Sequence, residues 1–398
     1  MTPTVLYLTH HSAWPTTSGG RVRDANLIPR LARNARLEVW AVSRTPVIDQ
    51  DALDGLGWCA PVRVFADEAP RRPYPTRDSR RVRELLHRMG PHCPFDVVHV
   101  EGHYLLHLVP PGWSARVVLV EHNIESHLLI QRAALGAPRG EGRATSQDAA
   151  DLAEVRRGEA IAWRRAAVVL TLSAEDRARL LAREPSVEVR VVRNGCDHVP
   201  AGEPAPNPRD PDIPARIGFL ANFGYGPNLD ALDWLLDEIL PRLRVAVPRV
   251  ELVLAGSQSQ EVVADRDLPE GVQAAGWIDD LGVWWKSIDV MVCPLRIGGG
   301  IKVKVTEAVR GGCCVVSTSV GVEGLPARVR DAVLAADTAD GLAAGLALMC
   351  TDDDALRASL RRVADRQRYL PTWDDAAADV RRHWAAVARR PRGPADAD

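Results

Sequence analysis

Two series of short apolar runs, one on each side of a proline-rich stretch, restrict what this chain can fold into. In the first series, residues 5–8, 37–42, 62–66, 95–100, 116–120, 167–172 and 187–192 form runs of four to six residues that end in glycine or polar side chains. The second series comprises 216–220, 250–255, 272–275 and 290–293. Short, largely apolar runs of this kind suit the strands of parallel sheets, and helical spacing in the intervening segments supplies right-handed crossovers. The expected fold is therefore α/β, with two Rossmann-like doubly wound domains and a ligand cleft between them. Between the series, HVPAGEPAPNPRDPDIPA at 198–215 holds six prolines, a composition that predicts a stiff exposed linker. These features divide the chain into an N-terminal domain at 1–198, a linker at 199–215 and a C-terminal domain at 216–372. A last helix at 373–388 and a disordered tail at 389–398 follow. A length of 398 residues fits two domains.

In an open parallel sheet ligands bind beyond the carboxyl ends of the strands. The richest such end runs from Cys293 to Leu325, CPLRIGGGIKVKVTEAVRGGCCVVSTSVGVEGL. It predicts a strand end, a glycine loop, a helix, a second glycine turn, a strand and a third glycine turn. Gly298, Gly299 and Gly300 let the backbone approach a ligand, and the helix after them turns N–H groups and its positive dipole end toward an anion. Lys302 and Lys304 in the first turn add positive charge, and Glu307 shares a face with Lys304 three positions before it. Cations for phosphates and a carboxylate for hydroxyls together suit a nucleotide-sugar. The glycines and lysines alone fit equally well a strand–turn–helix unit with a solvated basic face.

Other strand ends carry polar groups. The first run ends in His10 and His11, and the loop after it holds Gly19 and Gly20, with helical spacing from 21 to 34. That loop lacks the full GxGxxG of a dinucleotide fold, which weakens a nicotinamide reading. Residues 95–100 lead into Glu101 and Gly102, and residues 116–120 into Glu121, His122 and Asn123. His99, His103 and His107 are spaced like a set, but no nearby carboxylate or cysteine completes a metal site, so they are taken as ordinary histidines.

Bulk properties remove some classes. Fifty basic and 52 acidic residues give a net charge of -2, which offers no argument for nucleic acid. Seven scattered cysteines without a CxxC pair point to reduced thiols in a cytosol, and no apolar run is long enough to span a bilayer. The chain is therefore expected to be cytoplasmic. Within the basic segment 71–88, the second half predicts a basic helix that fits either a solvated face or weak attachment to the inner membrane surface. Residues 136–150 are poor in bulky apolar groups and predict a mobile loop.

Six stretches taken in order carry a family resemblance: SGGRVRDANL at 18–27, VLVEHNIES at 118–126, VVRNGCD at 191–197, GFLANFGYGPNLDALDWLLDEILP at 218–241, LVLAGS at 252–257, and residues 293–325. On these the chain resembles GT-B glycosyltransferases, in particular retaining family-4 enzymes (glycosyltransferases group 1), over nearly its whole length. The resemblance implies an N-terminal domain for the acceptor, a C-terminal domain for the donor nucleotide, and a last helix that packs back on the N-terminal domain. Carried onto this sequence, it implies that Glu307 bonds the ribose hydroxyls and that Lys304 and Lys302 lie near the diphosphate and donor sugar. Gly299 and Gly300 would offer N–H groups, Gly19 and Gly20 would approach the diphosphate, and His122 would stand beside the donor sugar. Gly256 and Gly298 complete the donor-side set, and Glu101, His103 and Asn123 form the acceptor side. Two departures are visible. Gly299 stands where a first glutamate is frequent in the family, and Asn222 and Asn228 lie in the loop where a basic pair is usual.

The implied activity is transfer of a sugar from a nucleoside-diphosphate donor, UDP or else GDP, to a glycan, a lipid-linked glycan or a small secondary metabolite. The resemblance implies retention of configuration and no metal or other cofactor, with the lysines and helix dipole at the leaving diphosphate. Two alternatives share these features: a GT-B-fold sugar-nucleotide epimerase, and a catalytically impaired nucleotide-sugar binding protein.

Overall fold

The computed structural model describes residues 2–54, 60–136, 146–203 and 213–390. Most of the expected mobile loop, the centre of the proline-rich stretch, Cys59 and nearly all of the expected tail lie outside the described residues. The chain divides into two compact units, one formed by 1–194 with 373–398 and the other by 195–372.

Unit 1 is built on a parallel sheet of strands β1 (Thr4–Thr9), β2 (Arg36–Ser43), β3 (Val62–Ala66), β4 (Val97–Glu101), β5 (Val117–Glu121), β6 (Val168–Thr171) and β7 (Val189–Val191), in the order β3-β2-β1-β4-β5-β6-β7. The helices around it are α1 (Gly19–Ala32), α2 (Pro46–Asp54), α3 (Arg80–Arg88), α4 (Glu125–Leu135), α5 (Ser146–Arg165) and α6 (Ala174–Arg183). Every residue of β4 and β5 is buried, the continuous pattern expected when helices cover both faces. Leu6, Leu8, Trp40, Val98, Val100, Leu119 and Trp163 belong to one apolar core.

Unit 2 contains β8 (Ala215–Leu220), β9 (Val250–Ala255), β10 (Val272–Gly276), β11 (Val290–Cys293), β12 (Cys314–Ser317) and β13 (Val333–Ala335), in the order β10-β9-β8-β11-β12-β13. Its helices are α7 (Gly226–Trp234), α8 (Leu240–Ala246), α9 (Leu281–Lys286), α10 (Val303–Arg310), α11 (Ser319–Val322), α12 (Ala327–Arg330), α13 (Ala339–Thr351) and α14 (Asp353–Gln367). After it, α15 (Trp373–Ala388) returns to unit 1, where it packs on α1, β4 and β5.

Strand order reverses once in each sheet, between β1 and β4 and between β8 and β11. At such a switch point neighbouring connections leave to opposite faces and open a crevice. The residues after β1, β4, β8 and β11 therefore border the natural binding position of each unit.

Three local expectations differ. Gly19 and Gly20 are not loop residues but the first residues of α1, because the Ser18 hydroxyl caps the helix two residues earlier than the apolar spacing indicates, accepting from the Arg21 N–H at 3.4 Å. The first part of the expected linker is packed against unit 2, since Val199 is buried and the Gly202 N–H donates to the Arg310 carbonyl at 2.9 Å. His103 begins a 3-10 turn (His103–Leu108) that the apolar spacing does not signal.

Candidate functional site

In unit 2 the crevice is bordered by the loop after β8 and the glycine loop after β11. Asn222 organises the first loop: its Oδ1 accepts from the Gly224 N–H at 2.9 Å, and its carbonyl accepts from the Asn228 side chain at 2.8 Å. Gly256, at a φ of 111°, closes against the same loop. A Cβ there would stand 2.2 Å from the Ala221 carbonyl oxygen, so only glycine fits.

Lys304, in the first turn of α10, reaches across the switch point. Its Nζ donates to Asn228 Oδ1 at 2.8 Å and lies 4.9 Å from the centre of the Phe219 ring. Burial lowers its pKa, opposed in part by Glu307. Asn228 is neutral, so this cation is held by a dipole and a ring face, a setting that favours an anionic ligand. Asn222, Asn228 and Lys304 are thus brought together.

Lys302 is placed differently from the expectation. It is the N-cap of α10 rather than a first-turn residue, and its Nζ lies 3.4 Å from Glu323 Oε2. Its stem covers Gly298, where a Cβ would meet Lys302 Cε at 2.9 Å. Gly298 and Gly300 are buried and Gly299 is half-buried, and Gly300 has a φ of 57°. Glu307 follows Lys304 by three positions on α10, and its charge opposes the burial-lowered pKa of Lys304. Glu307 is buried and engages His198, whose Nε2 is 2.8 Å from Glu307 Oε1. His198 was not anticipated, because its connection to Glu307 spans 109 positions of sequence.

In unit 1 the switch point is occupied by a buried polar network centred on Glu101. Its Oε2 accepts from His122 Nε2 at 2.6 Å and its Oε1 from His99 Nε2 at 2.9 Å. The Tyr7 hydroxyl lies 2.6 Å from Glu101 Oε1 and 2.7 Å from Asp24 Oδ1, and its one proton serves one carboxylate at a time. Arg23, fully buried, places Nε 3.5 Å from Glu101 Oε1 and donates from Nη1 to Asn194 at 2.7 Å. Burial by itself pushes the Glu101 carboxyl up, but Arg23 and His122 hold it well below the usual carboxylate range. His99 is therefore not an ordinary histidine: it belongs to the support of His122.

His10 also borders this point. Its Nδ1 donates to the Glu101 carbonyl at 3.1 Å, and its ring is 5.5 Å from that of His122. Burial, together with His11, His122 and Arg77, lowers its pKa well below the ordinary histidine value, so the ring is neutral near pH 7. Gly20 lies against His11, where a Cβ would stand 2.7 Å from Cε1, and Gly19 is exposed at the start of α1.

The acceptor-side candidates form a second group. His103 Nδ1 lies 3.2 Å from Glu121 Oε2, and Glu121 Oε1 accepts from the Trp163 indole at 2.7 Å. Burial would lower the His103 pKa, but Glu121 raises it to about 9. Asn123 donates to Glu125 Oε1 at 3.3 Å, and burial pushes the Glu125 carboxyl up to about 7. A carboxyl that titrates near neutrality is suited to exchanging protons with a ligand placed beside it. Among the described residues, no group of three or more His, Cys, Asp or Glu side chains is arranged to hold a metal ion.

Comparison with known proteins agrees with this architecture. Residues 214–352 match the family model of glycosyl transferases group 1. Sucrose-phosphate synthase from Thermosynechococcus elongatus superposes with a TM-score of 0.68 at 15% identity, covering 97% of this chain and 99% of that one. HepE from Anabaena, solved with UDP, gives 0.65 at 13% identity over 96% of this chain and all of that one. WaaG, a glycosyltransferase involved in lipopolysaccharide biosynthesis, gives 0.57 at 14% identity over 95% and 98%. A search of curated protein sequences found no match.

Proposed function

We propose that this chain, a glycosyltransferase of the GT-B fold whose residues 214–352 belong to the glycosyl transferases group 1 family, moves a sugar from a nucleoside diphosphate to an acceptor hydroxyl. Lys304 carries the reading. It is a cation with a burial-lowered pKa at the switch point of unit 2, held by the neutral Asn228 at 2.8 Å, beside a glycine loop. Breaking the bond between the anomeric carbon and the diphosphate oxygen develops negative charge on the leaving group and oxocarbenium character on the sugar. Lys304, the α10 N-terminus and the N–H groups of Gly299 and Gly300 would stabilise that charge in place of a metal. The charge of Lys302 is balanced by Glu323, so it would act as the lesser cation.

In this reading Glu307 takes the ribose hydroxyls, Asn222, Asn228, Gly256 and Gly298 shape the donor side, and Gly19 and Gly20 approach the diphosphate. His122 stands beside the donor sugar, oriented by Glu101. His103 and Asn123 face the acceptor, a glycan, lipid-linked glycan or small metabolite, while Glu101, expected on the acceptor side, is fully buried and acts only through His122. Transfer proceeds with retention, by attack on the face the diphosphate leaves, with the departing phosphate taking the acceptor proton. UDP is the preferred nucleotide because HepE was solved with UDP and with UDP-glucose; GDP is second. No described helix is long and apolar enough to cross a membrane, and α3 supplies the basic surface for weak attachment to an anionic one.

A thermal-shift screen with UDP, GDP, ADP and TDP, followed by a nucleotide-release assay, tests the reading. Free nucleotide that appears only with an acceptor supports it. An isomerised sugar nucleotide would replace it with epimerisation, and saturable binding with neither transfer nor hydrolysis over a broad donor panel would replace it with a binding role.

A further inference from the structure

Residues 196–202, which lead into and begin the proline-rich stretch, are not a passive connection. The Cys196 N–H donates to the Pro371 carbonyl at 3.1 Å, and the Gly202 N–H donates to the Arg310 carbonyl at 2.9 Å. Arg310 Nε donates to the Val199 carbonyl at 3.3 Å, and Gln367 Nε2 donates to the Gly202 carbonyl at 2.9 Å. At Gly202 a Cβ would stand 1.8 Å from the Gly311 carbonyl oxygen, so the two backbones run against each other. These bonds strap residues 196–202 to the end of α10 and to α14. His198 is thereby held with Nε2 2.8 Å from Glu307 Oε1, the two side chains 17% and 6% exposed.

A carboxylate accepts hydrogen bonds, so the His198 ring carries a proton on Nε2 and donates it. The bond occupies one lone pair of Oε1. Oε2 and the second lone pair of Oε1 remain in a fixed direction. Catching two adjacent hydroxyls requires the carboxylate plane to be aligned with both O–H directions, and a glutamate with three side-chain torsions does not hold that orientation unaided.

We propose that His198 is a positioning residue for nucleotide recognition, fixing the Glu307 carboxylate so that it accepts from the ribose hydroxyls of a nucleoside diphosphate. The inference rests on the donor reading of unit 2 and goes beyond it by locating the ribose preference in the His198–Glu307 pair. Removing the ring frees Glu307 to rotate, and the cost of ordering it falls on binding. That cost applies only to ligands that use the carboxylate.

The test is calorimetry of the full chain with UDP and with 2′,3′-dideoxy-UDP, or with the GDP pair where GDP binds more tightly. The expected result is that His198→Ala binds UDP about tenfold more weakly and the dideoxy ligand as wild type does. His198→Gln, which can still donate to Oε1, should keep the wild-type preference. His198→Asn, whose amide is too short to reach Oε1, provides a second loss variant should the alanine protein not fold. A parallel fall for both ligands, or an unchanged preference in a folded loss variant, would overturn the proposal. Wild-type protein that binds UDP without distinguishing the two ligands would also overturn it while leaving the donor reading intact. Binding of neither nucleotide would remove the donor reading, and the proposal with it.

Discussion

The indole N–H of Trp384 donates to Nδ1 of His99 across 3.0 Å. The His99 proton must then sit on Nε2, which donates to Glu101 at 2.9 Å, and Glu101 in turn holds His122 at 2.6 Å. The last helix thus sets the tautomer of a buried histidine and, through a single carboxylate, the orientation of the residue proposed to face the donor sugar. The bond spans 285 positions of sequence and helps tie the end of the chain to unit 1.

Trp384→Phe keeps most of the buried ring but removes the donor. His99 Nδ1 is then buried without a partner, and unit 1 is expected to lose about 1–3 kcal/mol, read from the denaturant midpoint of its transition. An unchanged midpoint would mean that the ring reorients at no cost and that the tautomer is not set from α15.

Glu101→Gln should be more damaging than its size suggests. Replacing the carboxylate leaves the fully buried Arg23 without a full counter-charge, a loss of about 3 kcal/mol by analogy with other broken buried pairs. Burial raises the Glu101 pKa, yet Arg23 and His122 pull it well below the ordinary range. Its charged form therefore stabilises the fold fully above the unfolded value of about 4.3, and that contribution disappears as pH falls through the lowered folded value. The gap between wild type and variant should narrow on acidification in chemical denaturation at stepped pH. A gap independent of pH would refute the assignment.

On the alkaline side the His103–Glu121 pair sets the trend. Glu121 raises the His103 pKa to about 9 against the effect of burial. The stabilisation is complete below the unfolded value of about 6.5 and is lost as pH rises through about 9. Burial pushes Glu125 up to about 7, so its preference for the protonated form costs stability between about 4.3 and 7. Unit 1 should therefore weaken as pH rises, with His103 contributing on the order of 3 kcal/mol. His103→Gln should destabilise strongly at pH 6 and little at pH 10. Equal effects at both would show that the ion pair does not form.

The sheets were legible because most of their strands are short, largely apolar runs such as β4 and β5, whereas the strand order that sets the switch points comes from pairing between distant segments. Gly256 was legible because it lies just past a strand end, and Asn228 and Lys304 because each lies in the first turn of the helix that follows a switch-point strand. What was hidden depends on contacts between distant residues. Lys302 caps α10 with its ammonium beside Glu323, Gly19 and Gly20 enter a helix through the Ser18 cap, and Glu307 pairs with His198. His99 reads as a strand residue until the side chains of Trp384 and Glu101 are placed around it. No local spacing encodes these partners, since each is set by the packing of one element on another.

Lys304 gives the sharpest test of the chemistry. Its ammonium is lowered in pKa by burial and is held by Asn228 and the Phe219 ring, so a bound diphosphate would be its strongest partner. Lys304→Ala should reduce turnover by about 10²-fold, the size of effect seen when one group stabilising a developing anion is removed, with a smaller change in the stability of unit 2. Because an anion favours the protonated amine, nucleotide binding should raise the Lys304 pKa and take up a fraction of a proton at alkaline pH. Calorimetry in two buffers of different ionisation enthalpy measures that uptake, which should vanish in the alanine variant. Near-normal turnover by folded Lys304→Ala would place the charge stabilisation elsewhere.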